Sequence, residues 1–192
     1  AAFDLIMKAL NIVITGGPGS GKTSICEYLR DNDYQTYPEG ARQIIEQGIQ
    51  PPIATANSQQ DPGFGEKILH SRINDYLDSH NHELCFFDRG LPDGLAFSHF
   101  LNKEPDQTLL DAIDRYRYDH IFILTPWKEI YCQDSVRQES FEIAELISHY
   151  CTRAYKDSGY RLVEVPQLPI PERATFILNE LRIELSTSVK RF

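Results

Sequence analysis

Ile12-Val13-Ile14-Thr15-Gly16-Gly17-Pro18-Gly19-Ser20-Gly21-Lys22-Thr23-Ser24 is the stretch that decides the fold. Its first residues are an apolar, β-branched run, its middle is a complete G-x-x-x-x-G-K-[ST] pattern, and Ile25-Cys26-Glu27-Tyr28-Leu29 follows as a helix. Strand, glycine-rich turn and helix in that order predict a phosphate loop, in which backbone N–H groups and the positive end of a helix converge on a polyphosphate. Gly16 and Gly21 allow the chain to curl closely. Lys22 is expected to reach the β and γ oxygens, and the Thr23 hydroxyl to ligate Mg²⁺. The loop residues Gly16, Gly17, Pro18, Gly19, Ser20, Gly21, Lys22, Thr23 and Ser24 are therefore candidate nucleotide ligands, with ATP the expected cofactor and GTP the other possibility.

The chain has 192 residues, 41% of them hydrophobic, enough for one substantial core. A net charge of -9 without a clustered basic segment argues against nucleic acid as a partner, because a polyanion needs a basic face. No run approaches the length of a membrane span, so no membrane insertion is expected. Cys26, Cys85, Cys132 and Cys151 lie far apart with no C-x-x-C, which suggests reduced thiols and a cytoplasmic location. Met7-Lys8 reads as a natural start, so residues 1–6 are expected to be an expression remnant and 7–192 a single domain.

Outward from the loop, strands and helices alternate. Tyr34 to Tyr37, Leu84 to Phe87, Ile121 to Leu124 and Arg161 to Val165 read as short strands. Helical spacing marks Ala41 to Gln47, Glu66 to Leu77, Asp93 to Leu101, Asp106 to Arg117, Ser140 to Lys156 and Glu172 to Leu185. Five apolar strands separated by helices predict a three-layer α/β domain with a five-stranded parallel sheet, because parallel neighbours need crossover connections. Ligands in such sheets bind beyond the carboxyl ends of the strands. The phosphate loop, Pro38-Glu39-Gly40-Ala41-Arg42, Asp88-Arg89-Gly90 and Thr125-Pro126-Trp127-Lys128 occupy such ends and should share a cleft.

Asp88, after three apolar residues, takes the place of the acidic group that completes Mg²⁺ binding at a strand end. Its neighbour Arg89 cannot polarise a water as a base, since a guanidinium stays protonated. It can hold an acceptor, or pair internally with Asp93 or Glu39. Asp93 is otherwise a cap for the helix it opens. Signalling GTPases need D-x-x-G, which is absent, and N-K-x-D, which Asn102-Lys103-Glu104-Pro105 fails at its last position.

The set Gly16 to Thr23, Pro38-Glu39-Gly40-Ala41-Arg42, Phe87-Asp88-Arg89-Gly90-Leu91-Pro92-Asp93, Trp127, Asp134-Ser135-Val136-Arg137 and Tyr160 to Pro166 resembles the small AAA-related ATPase/kinase-like domain family. That family is akin to the ribosylnicotinamide kinase domain and to nucleoside and thymidylate kinases. The resemblance covers nearly all of 7–185 and implies a nucleoside-kinase-like P-loop fold with a helical lid. It implies Glu39 as general base for an acceptor hydroxyl, against the alternative of a helix-start carboxylate favoured by the dipole. Arg42, one helical turn on, binds the acceptor or pairs with Glu39. Arg137 matches the lid arginine of such kinases, which neutralises charge on the transferring group; its alternative is a surface pair with Asp134 or Glu139.

Lys22, Glu39, Asp88 and Arg137 are thus the expected catalytic set, Glu39, Arg42 and Arg89 the acceptor set, Thr23 and Asp88 the metal set, and Arg137 a further nucleotide contact. Trp127 is expected at the cleft rim, and Val165-Pro166-Gln167 either lies against the nucleotide base or does not. His80 and His82 sit in a polar helix end and read as solvated. The expected function is ATP/Mg²⁺-dependent phosphoryl transfer to a small hydroxyl-bearing metabolite, nucleoside- or riboside-like. A nucleotide-binding regulatory module and a plain ATPase or GTPase are the alternatives.

Overall fold

A computed structural model of the chain describes residues 9–40, 63–129 and 140–189, with side chains of the last helix described through 182. The expectations placed on Ala41 to Gln47, Arg42, Cys132, Asp134 and the lid with Arg137 lie outside the described residues.

The elements in chain order are β1 (Leu10–Gly16), α1 (Lys22–Asp31), β2 (Gln35–Tyr37), α2 (Phe64–Asp78), β3 (Leu84–Asp88), α3 (Leu91–Phe100), α4 (Gln107–Arg115), β4 (His120–Leu124), α5 (Phe141–Asp157), β5 (Leu162–Glu164) and α6 (Ile170–Val189). A 3₁₀ turn, Ser79–Asn81, joins α2 to β3. The sheet has five strands, all parallel, in the order β2-β3-β1-β4-β5. β1 lies central, and the order reverses there between β3 and β4, which opens a crevice at the carboxyl edge.

Alternation along the strands sorts side chains to the two faces. Ile12, Ile14, Phe86 and Phe122 join Ile25 and Leu29 of α1 and Ile177 of α6 in one buried layer. Val13, Phe87 and Ile121 join Leu69 of α2, Leu91 of α3, Ile113 of α4 and Ile147 of α5 in the other. Each fully buried residue of this size stabilises the fold by about 1.5–3 kcal/mol, which is why the central strands are mainly apolar.

Register places the chemistry. Ile14 of β1 stands beside Asp88 of β3, and Gly16 beside Leu124 of β4, while Tyr37 of β2 pairs with Phe87. The phosphate loop, Glu39 and Asp88 therefore leave the sheet side by side. Local signals end and start the helices as the sequence suggests: Asp106 accepts from the Thr108 N–H at 2.8 Å to begin α4, and Ser140 accepts from the Ile143 N–H at 3.4 Å to begin α5. Among the described residues no helix is long and apolar enough to cross a membrane.

Candidate nucleotide and acceptor site

The loop between β1 and α1 turns through left-handed conformations at Gly19 (φ 75) and Gly21 (φ 91), and Gly16 sits at φ 138. A Cβ on Gly16 would collide with the Leu124 carbonyl, and one on Gly17 with the Ala144 carbonyl of α5. Glycine is needed at these two positions by close backbone approach as much as by dihedral freedom. Ser20 donates to the Gly17 carbonyl at 2.9 Å, tying the loop across itself.

Lys22 is 5% exposed, and its Nζ donates to the Gly17 carbonyl at 2.7 Å and to Ser20 Oγ at 3.4 Å. Burial, with Arg89 nearby, pushes its ammonium down to about 8 despite the attraction of Asp88 and Glu39. Thr23 Oγ1 donates to Asp88 Oδ2 at 2.7 Å. Asp88 Oδ1 is buried and has no hydrogen-bond partner. Burial, reinforced by Glu39, pushes the Asp88 carboxyl up to about 6 even though Lys22, Thr23 and Arg89 oppose the shift. A buried carboxylate with one idle oxygen next to a threonine hydroxyl fits a hard cation, which takes one or two protein oxygens and completes its shell with phosphate and water. Among the described residues there is no cluster of three or more His, Cys, Asp or Glu arranged for a metal. His80 turns its ring nitrogen to the Tyr76 and Leu77 carbonyls, and His82 lies 3.7 Å from Asp78.

Arg89 adopts φ 73, a conformation that costs a non-glycine residue free energy and persists only when its surroundings enforce it. Here they do. Its Nε donates to Glu39 Oε1 at 2.7 Å, and its Nη1 donates to Asp93 Oδ1 at 2.8 Å and to the Gly16 carbonyl at 3.1 Å. Both internal partners weighed from the sequence, Asp93 and Glu39, are thus engaged at once. Glu39 keeps 21% of its side chain exposed, whereas Arg89 keeps 4%. Burial disfavours the Glu39 charge, but Arg89 and Lys22 outweigh it and hold this carboxyl below its usual range.

Asp93 is wholly buried. It caps α3 by accepting the Gly90 N–H at 2.9 Å, and it also accepts Thr15 Oγ1 at 2.8 Å and the Tyr155 hydroxyl at 2.7 Å. Burial works against its charge, yet Arg89, Arg72 and these donors draw its carboxyl down to about 2. The Gly90 N–H also reaches the Tyr155 oxygen at 3.0 Å, and a Cβ on Gly90 would stand 2.7 Å from that oxygen.

Three residues of this site escaped the sequence reading. Arg173, in the first turn of α6, is 5% exposed, donates from Nη1 to the Ser20 carbonyl at 2.8 Å, and places its Cζ 5.9 Å from the Trp127 ring centre. Arg72 of α2 is 7% exposed beside Gly94. Tyr155 of α5 is fully buried. None carries a local motif; only the fold brings them to the β1 and β3 ends. Trp127 is half-buried beside Arg173. A cavity of about 560 Å³ opens past β4 and β5, lined by Thr125, Glu164, Val165, Pro166, Gln167 and Phe176.

A glycine-rich loop between a parallel strand and a helix, set against an acidic strand end, defines a P-loop fold. Residues 11–173 match the family model described as AAA domain, and the chain belongs to that family. No curated protein matches the sequence. Among solved structures, the fold is similar to deoxyadenosine kinase from M. mycoides at TM-score 0.63 and 20% identity, over 90% of this chain and 99% of that one. Thymidylate kinase from Candida albicans is similar at TM-score 0.63 and 16% identity, over 92% of each chain. NadR protein, solved in complex with NR, is similar at TM-score 0.68 and 16% identity, over 89% of this chain and 49% of that one.

Proposed function

We propose that the protein transfers the γ-phosphoryl group of ATP to the hydroxyl of a small metabolite. One observation carries this reading: the idle, buried Asp88 Oδ1 beside Thr23, its carboxylate acted on by Lys22 and by the Glu39–Arg89 pair at the carboxyl end of the sheet. Similarity of fold to kinases of nucleosides, nucleotides and shikimate supports it.

In this reading the loop from Gly16 to Ser24 cradles the phosphates, and Lys22 exchanges its Gly17 carbonyl for phosphate oxygens. Thr23 and Asp88 would hold Mg²⁺, which when bound draws charge from the β and γ oxygens. Glu39 orients the acceptor hydroxyl and takes up its proton, and Arg89 fixes Glu39. Arg42 and Arg137 complete the acceptor and phosphate contacts. The 560 Å³ cavity past β5 receives the base. Residues 7–192 act as one domain.

The depressed Glu39 carboxyl, already bonded to Arg89, is a weak base at neutral pH, and this favours the second reading, a nucleotide-binding regulatory module or plain ATPase. Incubation with γ-labelled ATP and a panel of hydroxyl metabolites, beside a control without acceptor, separates them. Label on an acceptor supports the kinase. Phosphate released equally in the control supports the ATPase, and tight binding without turnover supports the module.

A further inference from the structure

Arg72 is buried to 7% exposure, and its Nε has no hydrogen-bond partner. A guanidinium is charged at every relevant pH and offers five donors in a fixed fork, so leaving one idle in the interior needs a reason. Its position narrows the reason. Nη1 lies 3.8 Å from where a Cβ on Gly94 would stand, in the first turn of α3, and the hydroxyl of the preceding residue, Ser71, lies 3.2 Å from the same point on Gly40. Arg72 thus sits against α3, and its charge favours ionisation of both Glu39 and Asp93.

Those two carboxylates are already bonded to Arg89 at 2.7 and 2.8 Å. Asp75, three residues along α2, feels the Arg72 charge too, which opposes the upward push of burial on its carboxyl. No ion pair among the described residues includes Arg72. Arg72 and Arg89 thus both act on Glu39 and Asp93, and among the described residues only Arg89 is matched by carboxylate oxygens.

We propose that Arg72 receives an oxyanion, a carboxylate or a phosphate, borne by the phosphoryl acceptor, so that the acceptor class is an anionic hydroxyl compound and not a neutral sugar or nucleoside. Both oxyanions present two oxygens that the guanidinium fork can meet side by side. The anion takes no part in bond making; it sets the acceptor's hydroxyl against Glu39. This inference rests on the phosphotransfer reading above.

Matched pairs test it: a 2′-deoxynucleoside against its 5′-monophosphate, and a cyclic polyol against the hydroxy acid of the same skeleton. Each is measured by calorimetry with Mg-ADP present and by label transfer from γ-labelled ATP. The anionic member of at least one pair should bind tenfold or more tightly than its neutral counterpart, and which pair does so tells phosphate from carboxylate. Arg72→Gln should erase that preference, and Arg72→Lys should restore part of it. Equal binding within every pair, or a preference untouched in Arg72→Gln, overturns the proposal, as does failure of every anion to bind. Label on neutral acceptors alone removes the anion and leaves the kinase. Anion-selective binding without any label transfer removes the kinase and leaves the Arg72 site. The wild-type comparison stands even where a variant does not fold.

Discussion

Arg173 of the last helix donates to the carbonyl of Ser20 across 153 residues of chain, at 2.8 Å. The phosphate loop is thereby fastened to α6, whose first turn stands under Gly21 with the guanidinium 3.1 Å from the space a side chain there would fill. A charged hydrogen bond of this kind contributes about 1.5–3 kcal/mol. Arg173→Ala should lower stability by about that much in urea unfolding. Arg173→Lys, with a compact ammonium in place of the fork, should raise the nucleotide KM roughly tenfold while changing kcat less, because the loop is mispositioned and no reacting group is lost. A fall in kcat at constant KM would count against the fastening role.

Lys22→Ala and Asp88→Ala should each abolish phosphoryl transfer while the far-ultraviolet circular dichroism stays that of the parent. Both side chains are buried without packing a hydrophobic layer, so their loss removes charge stabilisation more than core. Normal turnover by either purified variant would contradict the assignment.

Glu39→Gln keeps an oxygen that can accept from Arg89 Nε but cannot take a proton from an acceptor. Transfer should fall by a factor of about 10²–10⁴, the usual contribution of a positioned base, while ATP binding changes little. Equal loss of both would make Glu39 a partner of Arg89 and nothing more.

The two carboxylates of the site should respond to pH with opposite sign. Asp88 titrates near 6 in the folded protein and near 3.8 when exposed, so the folded state binds the proton more tightly, and this group makes stability fall as pH rises from about 4 to 6. Its metal-binding form appears only above about 6, so Mg²⁺-dependent nucleotide affinity should drop about tenfold per unit below that. Asp93, drawn down to about 2, stabilises the fold by roughly 2 kcal/mol above pH 4, and this is lost as the pH falls toward 2. Calorimetric titration with Mg-ATP between pH 5 and 8, and acid unfolding of Asp93→Asn beside the parent, read the two separately.

Asp93→Ala should be the most damaging of the single changes, at about 3–5 kcal/mol. It strands the Arg89 charge in a buried setting and leaves Thr15, the Gly90 N–H and Tyr155 short of an acceptor. Unfolding in denaturant measures it. A cost below 1 kcal/mol would mean that water replaces the carboxylate.

The legible parts of this molecule were those whose physics is local. Apolar runs such as Cys85-Phe86-Phe87 and Ile121-Phe122-Ile123-Leu124, short and bounded by polar residues, read as buried strands, and helices between them favour the parallel sheet. Observed boundaries moved by at most four residues, most at the end of α6, which runs to Val189. The carboxylate at Asp88 and the loop glycines carry their chemistry in a few adjacent letters. Arg72, Tyr155 and Arg173 do not. Each reads as an ordinary residue of its own helix or strand, and becomes part of the site only when strands far apart in sequence are laid edge to edge. Arg89 shows the limit from the other side, since sequence offered Glu39 and Asp93 as competing partners and three-dimensional packing supplied both.

The glycine at 90 owes its place to a phenol on α5. With the Tyr155 oxygen 2.7 Å from the missing methyl, and a ring carbon of Tyr118 2.9 Å from it, even alanine would wedge α5 away from the sheet. The third letter of the Asp-Arg-Gly triplet is therefore a steric imprint of a distant helix and carries no chemistry of its own. Position 90 and position 155 should vary together, and a Tyr155→Phe exchange would relax the ban on alanine only in part, since the Tyr118 ring carbon stays 2.9 Å away.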